Sequence, residues 1–229
     1  GPLSFDFIYG NRHKGDPIGM FFTDPLTQGA SVIDRRLNTQ IQYNDNFLND
    51  TLNVLGRAFL GRYSFEQPGF YSGEKTLSTG PSDWHGVELR LLSTAFAEHK
   101  IMAGFEYQNN TSITQAFHNF DNPDENIRVK SSVMRLGFYV QDEWSITDTL
   151  SATAGLRYDY NQWIGNRLSP RGALIWQATP KTTLKALYGR AHRSPNSYER
   201  DYGDGISQVA NPGLHSEAVD TAELVADYL

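Results

Sequence analysis

Apolar and polar side chains alternate with a period of two along much of this chain. In the segment Leu150–Asn161, every second residue is apolar or aromatic and the residues between are small or polar. The segment Met134–Ile146 repeats this pattern, with Phe138 and Trp144 on its apolar side. Because successive side chains of a strand point to opposite faces, the period predicts β-strands with one apolar and one polar face.

The same pattern divides the chain into about ten predicted strands, several longer than the five or six residues usual in soluble sheets. They are Leu3–Tyr9, Val32–Tyr43, Thr51–Phe65, Asp83–Phe96, Ile101–Ala116, Ser131–Ile146, Leu150–Trp163, Ser169–Gln177, Thr183–His192 and Glu217–Tyr228. If these strands cross a membrane, Trp144, Tyr158, Tyr160 and Trp163 are expected at its two surfaces as aromatic girdles.

The connections between these strands alternate in length. The short polar turns are Asn44–Asp50, Ala97–Lys100, Thr147–Thr149 and Thr179–Thr182. The longer polar segments are Gly10–Ala30, Gln67–Ser82, His118–Lys130 and Arg193–Ser216. Short turns at one end and long loops at the other are typical of outer-membrane β-barrels, whose turns face the periplasm and whose loops face outward. We therefore expect an all-β fold, an antiparallel segment of a transmembrane barrel.

The amino-acid composition excludes several classes of protein and is compatible with a β-barrel. The mean hydropathy is −0.50, and no apolar run reaches the roughly 18 residues of a transmembrane helix. The net charge of −6 and the pI of about 5.5 argue against a nucleic-acid-binding surface. The chain has no cysteine, which excludes a disulfide framework and a thiolate metal site.

The second half of the chain carries two groups of motifs. Positions 137–144 read GFYVQDEW, followed by GLRYD at 155–159. The second group begins with SPRGAL at 169–174, continues with LYGR at 187–190 and RSPNSYE at 193–199, and closes with NPGL at 211–214 and Glu217. In order and spacing these motifs resemble the barrel of TonB-dependent outer-membrane receptors over Ser131–Leu229, and the first half is similar in style.

This resemblance implies both a fold and a function. Receptors of this family are twenty-two-stranded plugged barrels in the outer membrane of Gram-negative bacteria. They import scarce ligands, commonly ferric siderophores and also haem, cobalamin or oligosaccharides, with energy that TonB delivers through an N-terminal plug domain. Residues 1–229 are then expected to be a partial barrel that lacks the plug domain and the C-terminal strands. The implied partners are outer-membrane lipid, TonB through that absent plug domain, and a siderophore-like small molecule, with no nucleic acid.

The resemblance also identifies candidate residues in the last long loop. The residues that match the family motifs are Arg193, Ser194, Pro195, Tyr198, Glu199, Asn211, Pro212 and Glu217. Prolines 195 and 212 lack an N–H and end strand pairing, so we expect the motifs to fix the shape of the loop. Direct ligand contact by Arg193, Tyr198 or Arg200 is the alternative.

No cofactor or metal site is predicted. The carboxylates of Glu199, Asp201 and Asp204 could ligate a hard cation, but their spacing does not match a calcium loop. Haem receptors of the family usually carry a histidine between the two motifs, and none lies between Arg193 and Asn211 here.

Four arginines are candidates for the polar, lumen-facing side of the strands. They are Arg36, Arg135, Arg157 and Arg171. They could contact the plug domain or an anionic ligand, and pairing with inward carboxylates such as Glu106, Glu143 and Asp159 is the simpler expectation.

Two other function classes remain open at the level of sequence. About ten strands could close into a small outer-membrane barrel that acts as a hydrolase, or the chain could be a soluble carbohydrate-binding β protein that uses exposed tyrosine and tryptophan. The sequence contains no Gly-X-Ser-X-Gly, His-Glu-X-X-His or phosphate-loop pattern, so we predict that the protein is not an enzyme.

Overall fold

Eleven antiparallel strands form a single sheet in the computed structural model, which describes residues 1–15, 31–205 and 208–229. The strands are β1 Leu3–Gly15, β2 Ser31–Phe47, β3 Leu52–Tyr71, β4 Glu74–Thr79, β5 Ser82–Ser93, β6 His99–Asn119, β7 Ile127–Thr147, β8 Leu150–Asn161, β9 Gly165–Thr179, β10 Thr182–Arg193 and β11 Glu217–Tyr228. A short helix, α1 Ser197–Asp201, lies between β10 and β11. Strands that are consecutive in sequence are neighbours in the sheet, apart from the β3–β6 region.

Strands β4 and β5 share one position in the sheet, because both lie between β3 and β6. The break between them falls at Gly80 and Pro81, and Pro81 has no N–H to donate to the ladder. The remaining backbone groups stay paired: Gly80 donates to the carbonyl of Phe65 and Thr114 donates to that of Pro81, each at 2.9 Å. The sheet therefore has ten strand positions, as the sequence pattern predicted.

One segment predicted as a long loop is mostly strand, and a second is shortened to about half of its predicted length. Most of Gln67–Ser82 belongs to β3, β4 and the two-residue turn 72–73 between them, and His118–Lys130 is reduced to the connection 120–126. Strands β6 and β7 are 21 residues long, whereas about ten residues suffice to cross a bilayer. The period-two pattern fades where a strand is wet on both faces, so the sequence showed these extensions as polar loops.

The two ends of the sheet carry different connections. The turn end carries 48–51, 94–98, 148–149 and 180–181, and the loop end carries 72–73, 120–126, 162–164 and 194–216. As predicted, the short polar turns lie at one end of the sheet and the described long loops lie at the other. The connections 72–73 and 162–164 are nevertheless tight turns at the loop end. Most of the predicted loop Gly10–Ala30 lies outside the described residues, and its first part belongs to β1.

The two faces of the sheet differ as the alternation predicted. The register of β7 and β8 places Phe138 opposite Tyr158 and Val140 opposite Leu156. All four side chains are 37–51% exposed on one apolar face. We call this the convex face. The opposite face carries the polar partners and is concave, since one cavity on it is lined by residues from β3 through to β10.

The sheet is open at both edges. Among the described strands, β1 pairs with β2 and β11 pairs with β10, and neither pairs with the other. These strands therefore do not close into the small barrel considered above, nor do they build the second layer of a sandwich. In the described part of the chain, no helix has the length and apolar character required to span a bilayer.

Candidate functional site

The concave face holds a cavity of about 880 Å³ with a strongly basic lining. Seven arginines and three carboxylates contribute to its wall. The arginines are Arg57, Arg90, Arg135, Arg157, Arg167, Arg171 and Arg190. The carboxylates are Glu88, Glu106 and Asp159.

The three carboxylates of the lining neutralise only two of these arginines. Arg57 pairs with Glu88 at 2.6 Å, and Arg157 pairs with Glu106 at 2.6 Å and with Asp159 at 2.8 Å. The expected pairing of Arg157 with inward carboxylates is therefore present.

Four arginines of the wall have no such neutralisation. Within the described residues, Arg90, Arg135, Arg167 and Arg171 form no ion pair with a carboxylate, and the buried Nε of Arg90 has no hydrogen-bond partner. A cation that is held against a wall without a counter-charge attracts anions, and the attraction strengthens where water is excluded. This part of the wall therefore favours a negatively charged occupant.

The strand neighbours set the position of Arg171. Its register partner on β8 is Gly155, and a Cβ at that glycine would lie 2.9 Å from Nε of Arg171. The missing side chain lets the arginine lie flat against the adjacent strand, with its guanidinium displayed to the cavity.

Arg36, the fourth predicted lumen-facing arginine, lies outside this cavity on β2. Its guanidinium carbon is 5.8 Å from the centroid of the Trp84 ring, a cation–π geometry. Trp84 in turn lies over Gly61, whose added Cβ would meet the indole at 2.3 Å.

The long loop 194–216 is fixed at its base by Arg193. The Arg193 side chain donates to Glu217 across the β10–β11 pair, at 2.7 and 2.9 Å, and to Glu199 at 2.9 and 3.0 Å. A hydrogen bond from the backbone N–H of Asn196, together with Arg193, holds the pKa of Glu199 below its usual range. The hydrogen bond from Arg193 likewise lowers the pKa of Glu217.

Helix α1 begins with a capping box. Asn196 accepts from the backbone N–H of Glu199, and the Glu199 carboxylate accepts from the backbone N–H of Asn196. The sequence contains the signature of this motif, an Asn followed three residues later by a Glu. Of the two residues, only Glu199 was identified as a candidate from the sequence. Glu199 thus serves both the helix start and the Arg193 anchor.

The helix then packs inward, against the concave side of β6 and β7. The Ser197 hydroxyl lies 2.8 Å from both Gln115 Nε2 and the Ser131 hydroxyl. The Arg200 guanidinium lies over Trp163, 4.8 Å from the ring centroid. The loop therefore covers the turn 162–164 between β8 and β9.

Sequence reasoning missed the partners of this loop. Ser197, Gln115 and Ser131 are generic polar residues that only the fold brings together. Trp163 was expected as a girdle residue, but β8 ends before it. It lies in the turn beneath Arg200, and its indole N–H donates to the carbonyl of Ser132.

The other motif residues occupy structural positions in the same loop. Pro195 is buried, and Ser194 lines the cavity. The backbone N–H of Asn211 donates to the carbonyl of Arg200. The carbonyl of Asn211 accepts from the backbone N–H of Leu214, which places Pro212 inside a tight turn.

Tyr198 is an exposed aromatic residue among those that match the family motifs. It is 54% exposed and stacks on Tyr202, with ring centroids 4.8 Å apart.

The acidic residues of the loop are engaged by protein groups. Asp201 pairs with Arg200 at 2.6 Å and accepts from the Ser197 hydroxyl. Over residues 1–15, 31–205 and 208–229, no three histidine or acidic side chains come together as a metal site.

Comparison with known proteins agrees with this architecture. Residues 2–229 match the family model described as TonB dependent receptor-like, beta-barrel. A stretch of 95 residues, 39% of the chain, is 30% identical to the iron-regulated outer membrane virulence protein of Vibrio cholerae. A stretch of 112 residues, 43% of the chain, is 29% identical to the ferric enterobactin receptor of Pseudomonas aeruginosa. Each alignment covers 15% of the relative.

Among solved structures, the copper transporter OprC superposes with a TM-score of 0.71. The match covers 88% of this chain and 37% of that one at 15% identity, and it shows a shared fold. The chain therefore spans well under two thirds of the length of the proteins it resembles.

Proposed function

Since this chain belongs to the TonB-dependent receptor family as part of its β-barrel, we propose that it forms a wall of a receptor that imports a scarce anionic ligand, namely a ferric siderophore. The protein resides in the outer membrane of a Gram-negative bacterium. The convex face then contacts lipid, and the loop end points out of the cell.

The observation that supports an anionic ligand is the excess of guanidinium groups on the concave wall. Ferric complexes of catecholate or carboxylate chelators are anions, because their oxygen donors carry more negative charge than Fe³⁺ cancels. Arg135 and Arg171 offer such a complex hydrogen-bond donors that no carboxylate of the described residues occupies. Charge-assisted hydrogen bonds of this kind contribute about 1.5–3 kcal/mol each.

Transport in this proposal requires parts outside these 229 residues. A plug domain would fill the lumen, and TonB would act on it to release the ligand inward. The similar proteins include a ferric enterobactin receptor and a copper transporter, and we assign no catalytic chemistry to the loop end.

Ligand binding by the full-length receptor tests the proposal. Quenching of tryptophan fluorescence by a ferric catecholate complex gives the dissociation constant, and a neutral ferric hydroxamate serves as the comparison ligand. Arg135→Gln with Arg171→Gln is expected to weaken binding of the anionic complex by roughly 100-fold, the equivalent of two charge-assisted bonds of modest strength.

Arg35→Gln is the matched control, because Arg35 pairs with Glu66 on the convex face. It changes the net charge by the same amount as one lumen substitution and should leave binding unchanged. Equal losses in Arg35→Gln and the lumen variants, or unchanged affinity in the double variant, would contradict an anion site on the concave wall.

A further inference from the structure

The convex face changes character toward the loop end. On β7 the even-numbered residues face outward, because the exposed Phe138 and Val140 have that parity and Ser131 of the other parity contacts helix α1 inside. Met134 is the last apolar residue of this row, and Ser132, Lys130 and Arg128 follow it. The row therefore passes from apolar to basic.

The height of these cations follows from strand geometry. Lys130 lies four residues beyond Met134, about 13 Å along the strand and about 10 Å higher at a typical barrel tilt. Both basic side chains are exposed, and long basic side chains can reach back toward a membrane interface. They lie where the headgroups of the outer leaflet would meet the barrel.

Other cations at this level of the convex face are already neutralised. Arg35 pairs with Glu66 at 2.7 Å and Arg62 with Asp83 at 2.5 Å.

Arg128 and Lys130 differ from these two arginines. Within the described residues, neither forms an ion pair with a carboxylate. Their register partners on β6, Ala116 and Thr114, carry no charge. Lys75 lies over the ring of Phe120 in the same β4–β6–β7 region and adds a third cation. Arg128 and Lys130 therefore carry positive charge that no ion pair within the described residues offsets, although the neighbouring connection 120–126 carries the carboxylates of Asp121, Asp124 and Glu125.

We propose that Arg128 and Lys130 form a binding site for the phosphate groups of an outer-leaflet glycolipid. Two like charges two residues apart on one face repel each other, and a phosphate that bridges them relieves this repulsion while accepting hydrogen bonds from both. The inference rests on the outer-membrane location and is independent of which ligand the receptor imports.

Binding of diphosphorylated lipid A to the full-length receptor in detergent tests the site. Native mass spectrometry measures the occupancy as lipid A is titrated, with dephosphorylated lipid A and inorganic phosphate as comparison ligands. Each basic residue near an anionic lipid surface contributes about a fivefold gain in affinity, so Arg128→Gln with Lys130→Gln is expected to weaken lipid A binding by roughly 25-fold. Dephosphorylated lipid A should bind the unaltered receptor as weakly as lipid A binds the double variant.

Two substitutions provide matched controls for the loss of charge. Lys181→Gln removes an exposed lysine from the turn end, and Arg62→Gln removes an already paired cation from the loop end. Both should bind lipid A as the unaltered receptor does, and the heat-induced shift in electrophoretic mobility of the barrel reports that every variant is folded.

Three results would overturn the site. The first is unchanged lipid A binding in the folded double variant. The second is an equal loss in Lys181→Gln or Arg62→Gln, which would indicate a response to overall charge. The third is competition by inorganic phosphate at the same concentration as lipid A, which would indicate a site for the free ion.

Discussion

Arg193 connects the two motifs that the sequence placed at opposite ends of the last long loop. Its planar guanidinium reaches Glu199, six residues on, and Glu217, on the neighbouring strand. A lysine could not serve both carboxylates with the same paired geometry. This fork of two ion pairs on one guanidinium joins the two motifs and closes the loop at its base. A ligand role for Arg193 would require this fork to open.

The lowered pKa values of Glu199 and Glu217 make the loop sensitive to acid. A carboxyl whose folded pKa is depressed stabilises the folded loop above its ordinary pKa of about 4.3, and this stabilisation is lost as the pH falls through the folded pKa. We expect the backbone amides of helix α1 to be protected from hydrogen exchange between pH 5 and 8 and to lose protection below about pH 4.

Substitution of the anchor carboxylates separates this effect from general acid unfolding. Glu199→Gln should expose the α1 amides at neutral pH and flatten their pH dependence, whereas Glu223→Gln, on β11 away from the fork, should behave as the unaltered chain. An acid step that persists unchanged in Glu199→Gln would show that the fork does not hold the loop.

On the strands, large concave side chains lie over glycines of the neighbouring strand. Tyr139 on β7 lies over its register partner Gly104 on β6, and Trp84 on β5 lies over Gly61 on β3. A ring or guanidinium that lies flat against the wall leaves the centre of the lumen open. The glycines therefore set how far the side chains of the wall project inward.

Gly104 is the clearest place to test this packing. An added Cβ would lie 2.2 Å from the Tyr139 ring, so Gly104→Ala must displace the ring and is expected to destabilise the barrel by about 1–3 kcal/mol. Gly56→Ala, where a Cβ meets nothing within 4 Å, is expected to be neutral or slightly stabilising. Denaturant midpoints of the full-length receptor compare the two; equal midpoints would contradict the packing argument.

The sequence pattern predicted the strands, but it did not predict how far they extend at the loop end. The period-two alternation located β7 and β8 because one face of these strands contacts an apolar medium and the other a polar one. The parts of β3 and β4 that follow Phe65 in the chain contact no apolar medium on either face, so their sequence pattern resembled that of a loop. The contacts of Ser197 with Gln115 and Ser131 span 82 and 66 residues, and no local pattern carries such information.

At the scale of the whole molecule, one sheet separates two environments. Its convex face exposes large apolar residues from β2 through to β10, and its concave face collects arginines around one cavity. An apolar surface of this extent is stable in lipid and promotes aggregation in water. The motifs predicted the family, and the alternation predicted which face is apolar. Which arginines are paired with carboxylates became visible only in the three-dimensional structure.

Lipid and water accessibility along β8 tests this division most directly. The 229 residues contain no cysteine, so single cysteines at successive positions from 154 to 159 can carry spin labels in the reconstituted receptor. We expect labels at positions 154, 156 and 158 to collide mainly with lipid-soluble oxygen and those at 155, 157 and 159 with a water-soluble nickel complex. Accessibility without a period of two, or with the opposite phase, would contradict the assignment of the convex face to lipid.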